Sequence, residues 1–255
     1  MPTALVTGAT AGIGAAFARA LAARGDDLVL VARDATRLEE VATRLREAAA
    51  VEVEILPADL SVREDVLKVA ARLEDPDRPV DVLVNNAGFG VHSNLLDPDT
   101  SRHEYALDVM CLAVLILGGA AGRAMRARGH GRIINVSSLA AWIMQGHYSA
   151  IKAWVRTYSE SLAGELHGTG VTVTALCPGW VRTEFHERAG IRTSAIPDWV
   201  WVDADRCAAD ALADAERGKA ISVPTRRWKF ARFAGDLAPR PALRAASRLL
   251  TKSRR

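Results

Sequence analysis

The feature that most constrains this chain is an alternation. Short apolar runs at Thr3 to Thr7, Leu28 to Ala32, Glu52 to Leu56, Val80 to Val84, Arg132 to Val136 and Val171 to Leu176 are each separated by a helical stretch. Leu28-Val-Leu-Val-Ala32 is apolar on both faces, the pattern of a strand covered on both sides in a parallel sheet. Strands joined through helices require right-handed crossovers, so the pattern predicts an α/β, Rossmann-like doubly wound parallel sheet with helices on both faces. Helices are expected from the glycine-rich turn to about Arg24, through Leu38 and Leu45, over Val62 to Leu73, over Ser101 to Arg128, and from Tyr148 to about His167. A seventh strand is expected near Ala220 to Val223.

At 255 residues, with 49% hydrophobic side chains, the chain has material for one sizeable core, and no linker argues for two. Residues 1–225 are expected to form a single Rossmann-fold domain with a substrate lid at about 184–203. Residues 226–255 read as a basic, amphipathic extension. That extension holds ten Lys or Arg against Asp236 alone, a balance of +9, which leaves −6 on the rest of a chain whose net charge is +3. Trp228, Phe230, Phe233, Leu237, Leu243, Leu249 and Leu250 interleave with its cations, so it reads equally as a membrane-surface segment or as a solvated helix packed on the domain or a partner subunit. No nucleic-acid motif accompanies the charge, and no nucleic-acid partner is expected.

Cys111, Cys177 and Cys207 are odd in number and widely spaced, which points to buried thiols in a reducing compartment. The six histidines show no metal spacing, and no metal is expected. The first residues are already strand-like, leaving no room for a signal peptide, and the longest apolar run, Met110 to Ala121, is short of the ~20 residues that span a bilayer. A cytoplasmic location is the expectation, with peripheral membrane contact through the tail as an alternative.

In a doubly wound sheet, ligands bind beyond the carboxyl ends of the strands at the switch point. The loop Thr7-Gly8-Ala9-Thr10-Ala11-Gly12-Ile13-Gly14 follows the first strand and opens a helix, as a pyrophosphate cradle requires. Arg33 follows the second strand, where a cation accommodates a ribose 2′-phosphate and an acid accepts from a 2′-OH. Tyr148 and Lys152 stand four apart on one helix face, so a cation lies beside a phenol and is expected to lower its pKa.

Thr7-Gly8-x-x-x-Gly12-x-Gly14, Asp59-Leu60, Asn85-Asn86-Ala87-Gly88, Asn135-Val136-Ser137-Ser138, Tyr148-x-x-x-Lys152 and Pro178-Gly179-Trp180-Val181-Arg182-Thr183 occur in one order along the chain. Together they resemble the short-chain dehydrogenase/reductase family over about residues 3 to 185. The resemblance implies a nicotinamide cofactor and hydride transfer with a carbonyl or alcohol. Tyr148 would act as general acid/base, Lys152 would hold the nicotinamide ribose and lower the Tyr148 pKa, and Ser138 would bind the substrate oxygen. Ser137 stays open as a stand-in, because Ser138 lies only ten residues before Tyr148. Gly8, Thr10, Ala11, Gly12, Ile13 and Gly14 would cradle the pyrophosphate. Asp59 and Leu60 would meet the adenine, Asn86, Ala87 and Gly88 its ribose, and Pro178, Gly179, Val181 and Thr183 the nicotinamide amide. Arg33, with Arg37 one turn on, favours NADP(H) over NAD(H).

One position departs from the pattern. Where the family carries an Asn that holds a water leading to the lysine, this chain has Met110. The alternative to an active enzyme is therefore a catalytically impaired nucleotide-binding sensor or scaffold protein. Phe185, Ile191, Ile196, Trp199, Val200 and Trp201 in the lid, with Trp142 and Trp180 nearby, predict an apolar carbonyl or alcohol substrate. His147 and His186 are expected within reach of the cleft. A homodimer or homotetramer is the expected assembly.

Overall fold

The computed structural model describes residues 1–91, 93–184 and 197–237. Seven parallel strands form one sheet: β1 (Thr3–Thr7), β2 (Asp27–Ala32), β3 (Val53–Pro57), β4 (Val82–Asn85), β5 (Gly131–Val136), β6 (Val171–Leu176) and β7 (Ile221–Ser222), in spatial order β3-β2-β1-β4-β5-β6-β7. The order reverses between β1 and β4, whose register runs Ala4 to Val82 through Val6 to Val84. The doubly wound sheet expected from the alternation is the fold observed.

Helices α1 (Gly12–Ala22), α2 (Ala35–Ala48), α3 (Arg63–Glu74), α4 (Ser101–Leu107), α5 (Ala113–Arg128), α6 (Gly146–Glu165), α7 (Ala204–Glu216) and α8 (Arg226–Leu237) cover the two faces. One core holds Phe17, Leu21, Leu30 and Leu38 with α1, α2 and α7; the other holds Leu83, Met110, Leu117 and Ile133 with α3 to α6. Helices α4 and α5 are one continuous rod, joined by a π-helical turn at Asp108–Leu112. The rod is long and apolar enough to cross a bilayer, but it packs against α3 and β4 to β6, which buries much of its surface.

Helix α7 was not foreseen, whereas α8 opens the basic extension, one reading of which was a helix packed on the domain. Helix α7 is capped by Asp203, whose carboxylate accepts from the Asp205 and Arg206 N–H groups. Its Asp214 is buried among Lys219, Arg217 and Ser222. Burial raises that carboxyl's pKa, but those hydrogen bonds outweigh it and hold it below the usual range. Helix α8 docks through Trp228 on Gly179, where an added Cβ would lie 2.3 Å from the indole. Phe230 and Phe233 face solvent. Phe185, His186, Ile191 and Ile196 of the expected lid, and the tail from residue 238 onward, lie outside the described residues.

Candidate active site

The glycine loop closes onto the β4 turn because its glycines leave no room for a side chain. Gly8 and Gly12 adopt φ of +66° and +55°, and a Cβ on Gly14 would lie 2.2 Å from the Gly8 carbonyl oxygen and 2.4 Å from Asn86 Nδ2. Asn86 Nδ2 donates to the Thr7 and Gly8 carbonyls, and the Asn86 and Ala87 N–H groups both donate to Thr7 Oγ1. The two loops at the switch point are thereby one rigid unit. Helix α1 starts there at Gly12 after the extended Ala11, with Ile13 packed on the core. Its first turn has neither a capping side chain nor an acid, and Thr10 lies in the turn before it. Unclaimed N–H groups and a positive dipole end suit an anion.

Beyond β2, Arg33 is exposed and its Nη1 donates to the Tyr105 hydroxyl of α4 at 2.7 Å. Tyr105 in turn lies 5.1 Å from the Phe89 ring. Asp34 does not compete for this place: its carboxylate caps α2 by accepting from the Arg37 N–H. Arg37 itself reaches Glu184 at 3.9 Å. Asp59 turns back on Ser61, accepting from its N–H and hydroxyl, while Leu60 is buried.

The strand after the switch positions the polar trio. Asn85 donates to Asn135, and Asn135 donates to Ser159 of α6, a buried chain that sets α6 against β4 and β5. Ser137 is buried and spends its hydroxyl on the Lys152 carbonyl at 2.7 Å. Ser138 takes the other direction and hydrogen-bonds Tyr148 side chain to side chain, also accepting from the Ala140 N–H. Lys152 Nζ lies 5.6 Å from the centre of the Tyr148 ring and donates to the Val136 carbonyl at 2.9 Å. The structure brings Ser138, Tyr148 and Lys152 together and turns Ser137 away.

The electrostatics differ from the expectation of a lowered phenol. Burial pushes the Tyr148 hydroxyl up to about 12, with the Ser138 hydrogen bond opposing it, and pushes the Lys152 ammonium down to about 8. Desolvation penalises both charged forms, and here it outweighs the attraction of a cation for a phenolate. The trio as it stands holds its proton on Tyr148.

Met110 is fully buried in the π-helical turn. Its Sδ and Lys152 Nζ lie 3.1 and 3.7 Å from where a Gly88 Cβ would stand, so the thioether adjoins the lysine as the alignment of motifs implied.

The segment after β6 closes the other side. Pro178 accepts from the Leu139 N–H, Thr183 packs on Gly12, and Val181 bridges to Val202. That bridge joins residues on either side of the segment expected as a lid. Trp180 and Trp201 meet edge to face at 5.7 Å, and Trp142 carries Arg156 and Arg232 at 4.5 and 5.4 Å from its ring. Among the described residues no cluster of three or more His, Cys, Asp or Glu side chains could hold a metal.

Tyr105, Phe89, the Asn135–Ser159 link and His103 carried no signal in a single sequence. Each is defined by a contact between elements that only the fold brings together.

Comparison with known proteins agrees with this geometry. Residues 2–192 match the family described as short chain dehydrogenase. The chain is 35% identical over 202 residues to a galactitol 2-dehydrogenase (L-tagatose-forming) of Cereibacter sphaeroides, covering 77% of this chain and 78% of that protein. It is 34% identical to a short-chain dehydrogenase from Sphingobium yanoikuyae solved in complex with NADPH, with a TM-score of 0.84 and coverage of 92% and 93%. It is 31% identical to a bulky-bulky ketone specific alcohol dehydrogenase from Comamonas testosteroni, with a TM-score of 0.79 and coverage of 92% of each chain.

Proposed function

The chain belongs to the short-chain dehydrogenase family, whose members are oxidoreductases using a nicotinamide cofactor, and on that premise we propose that it reduces the carbonyl of an apolar substrate with NADPH. A bound nicotinamide supplies the hydride. The observation that carries the reading is the convergence of Ser138, Tyr148 and Lys152 beside the glycine cradle. Ser138 holds the substrate oxygen, and Tyr148, protonated at neutral pH, hands that oxygen its proton as negative charge develops. A positioned acid of this kind contributes about 10²–10⁴-fold. Lys152 holds the ribose and supplies positive charge near the phenol. The same three groups support turnover over the sensor or scaffold reading.

NADP(H) preference is supported by Arg33, which stands beyond β2 while Asp34 turns its carboxylate to the cap of α2, and by the NADPH bound to the Sphingobium relative. The cradle fits a dinucleotide: Gly8, Thr10, Ala11, Gly12, Ile13 and Gly14 for the pyrophosphate, Asp59 and Leu60 for the adenine, Asn86, Ala87 and Gly88 for its ribose. Pro178, Gly179, Val181 and Thr183 would hold the nicotinamide amide. An apolar substrate is supported by the half-buried Trp142, Trp180 and Trp201. Leu112, Leu115 and Trp154 are apolar side chains more than a third exposed on the two long helices, which supports the homodimer or homotetramer.

Turnover of a panel of bulky aryl and alkyl ketones with NADPH and with NADH, beside Tyr148→Phe, tests the reading. Expected are activity with NADPH and its loss in Tyr148→Phe. A variant as active as the parent would overturn the mechanism, and tight NADPH binding without turnover of any carbonyl would revive the sensor reading.

A further inference from the structure

His103 of α4 and His147 of α6 meet Nδ1 to Nδ1 at 2.7 Å, with the rings edge to face at 4.6 Å. His103 is buried, and its Nε2 lies 3.2 Å from the Asn94 carbonyl oxygen, which also accepts from the Asp97 N–H. These contacts fix where the protons are. A carbonyl oxygen can only accept, so His103 carries its proton on Nε2 and presents a lone pair at Nδ1. His147 must then be the donor, held as the Nδ1–H tautomer. Burial, and then the neighbouring His103, push the His147 pKa below its ordinary value, which favours its neutral form.

His147 directly precedes Tyr148, in a first helix turn held within itself by the Gln145 N–H donating to the Ser149 hydroxyl at 3.2 Å. The Gln145 side chain makes no capping bond, the first turn of α6 has no acid, and Gly146 opens the helix at φ +69°. Helix ends of that kind fray unless something else holds them. Here the imidazole bridge ties the turn sideways to α4 and, through Asn94, to the loop after β4.

We propose that His103 and His147 are positioning residues: a hydrogen-bonded imidazole pair that holds the first turn of α6 in place, so that the Tyr148 hydroxyl stays on Ser138. The catalytic part of this inference rests on the acid/base reading of Tyr148; the bridge itself does not. Neither histidine touches the reacting atoms in this role.

The test uses two substitutions at His103 in the full chain. His103→Gln keeps an acceptor for His147 and a donor for Asn94, whereas His103→Phe keeps only the ring. A misplacement of about 1 Å can cost ~10²-fold. His103→Phe is therefore expected to lose about 10- to 100-fold in kcat, with KM and the NADPH Kd nearly unchanged, and His103→Gln to recover most of the loss. Amide hydrogen exchange over residues 143–150 should rise in His103→Phe and not in His103→Gln. Imidazole ¹⁵N spectra of the parent at pH 7 should show His103 as Nε2–H and His147 as Nδ1–H. Equal kcat in the Phe and Gln variants, or a loss confined to KM or coenzyme affinity, would overturn the positioning role. Should the parent turn over no carbonyl, the reading of function fails by itself, and unchanged exchange in His103→Phe or the opposite tautomers would then reject the bridge.

Discussion

Arg33 donates to the Tyr105 hydroxyl at 2.7 Å, joining the loop after β2 to helix α4 across 72 residues of chain. A guanidinium has no lone pair to offer, so Tyr105 is the acceptor and its own O–H remains a donor. An anion resting against the Arg33 fork would therefore meet a second donor from α4. A hydrogen bond to a charged group is worth about 1.5–3 kcal/mol. Tyr105→Phe is expected to weaken NADPH about 10- to 150-fold with NADH affinity unchanged, and Arg33→Ala to weaken NADPH at least as much. Fluorescence titration with both coenzymes checks this; an equal loss for NADPH and NADH would place Tyr105 outside 2′-phosphate recognition.

The opposite shifts of Lys152 and Tyr148 give the reduction a defined alkaline limb. Burial lowers Lys152 from 10.5 to about 8 and raises Tyr148 from 10.0 to about 12. The profile of kcat/KM reports ionisations of the free enzyme. It should fall as pH rises through about 8, when Lys152 loses its charge, while Tyr148 keeps its proton well beyond. A limb near 10 that survives in Lys152→Arg would assign the ionisation elsewhere.

Stability should carry the same signature. Because the folded lysine titrates below the unfolded one, the unfolded chain binds more protons between about pH 8 and 10.5, and stability rises with pH across that window. At and below pH 8 the buried ammonium costs stability, at about 1.4 kcal/mol per pKa unit. Lys152→Met is expected to gain roughly 1–3 kcal/mol at pH 7, reduced because the Val136 carbonyl loses its donor, with the gain shrinking toward pH 10. Urea unfolding at the two pH values decides; a variant less stable than the parent at pH 7 would mean that the ammonium is well solvated after all.

The sheet and the cradle were legible because they rest on local patterns: apolar runs of strand length, glycines where backbones approach, and a Tyr and Lys one helical turn apart. Helix α7 was not, since its Ala-rich, acid-rich stretch shows its apolar face only once Cys207, Ala211 and Leu212 are seen against α1 and β6. The choice between Ser137 and Ser138 needed three dimensions, because both meet α6 and only the fold shows Ser137 on the Lys152 carbonyl and Ser138 on the Tyr148 side chain. The sign of the Tyr148 shift was missed for a related reason. A cation four residues away is visible in a sequence, whereas the water stripped from a phenol is not.

Gly14 tests the cradle independently of chemistry. An alanine there would place Cβ 2.2 Å from the Gly8 carbonyl oxygen, a backbone atom that cannot swing aside, and 2.4 Å from Asn86 Nδ2. Forced overpacking of this kind typically costs about 1–3 kcal/mol. Gly14→Ala is expected to lower Tm and to lose NADPH and NADH binding alike, because the displaced turn is the one proposed to hold the pyrophosphate. Gly25→Ala serves as the comparison: φ is +83° there, but no atom lies within 4 Å of the added Cβ. Loss of stability at Gly25 with coenzyme affinity intact, against loss of both at Gly14, separates backbone strain from damage to the cradle.

Met110 sets the last expectation, since it fills with a thioether the space above Gly88 that also borders Lys152. Replacing it by Asn exchanges a fully buried apolar side chain for an amide in a π-helical turn. Unless both ends of the amide find partners, the exchange costs about 1–3 kcal/mol. The gain is an oxygen beside an ammonium that burial now disfavours, and a hydrogen bond to the charged form raises a lysine pKa. Met110→Asn is therefore expected to be less stable than the parent, yet to carry its reduction activity to higher pH, with the alkaline limb moved up from about 8. The comparison of limbs is made at a temperature where both proteins are folded. An unmoved limb in a folded Met110→Asn would show that the Lys152 charge is governed by its carbonyl contact with Val136 and not by the residue that fills the turn.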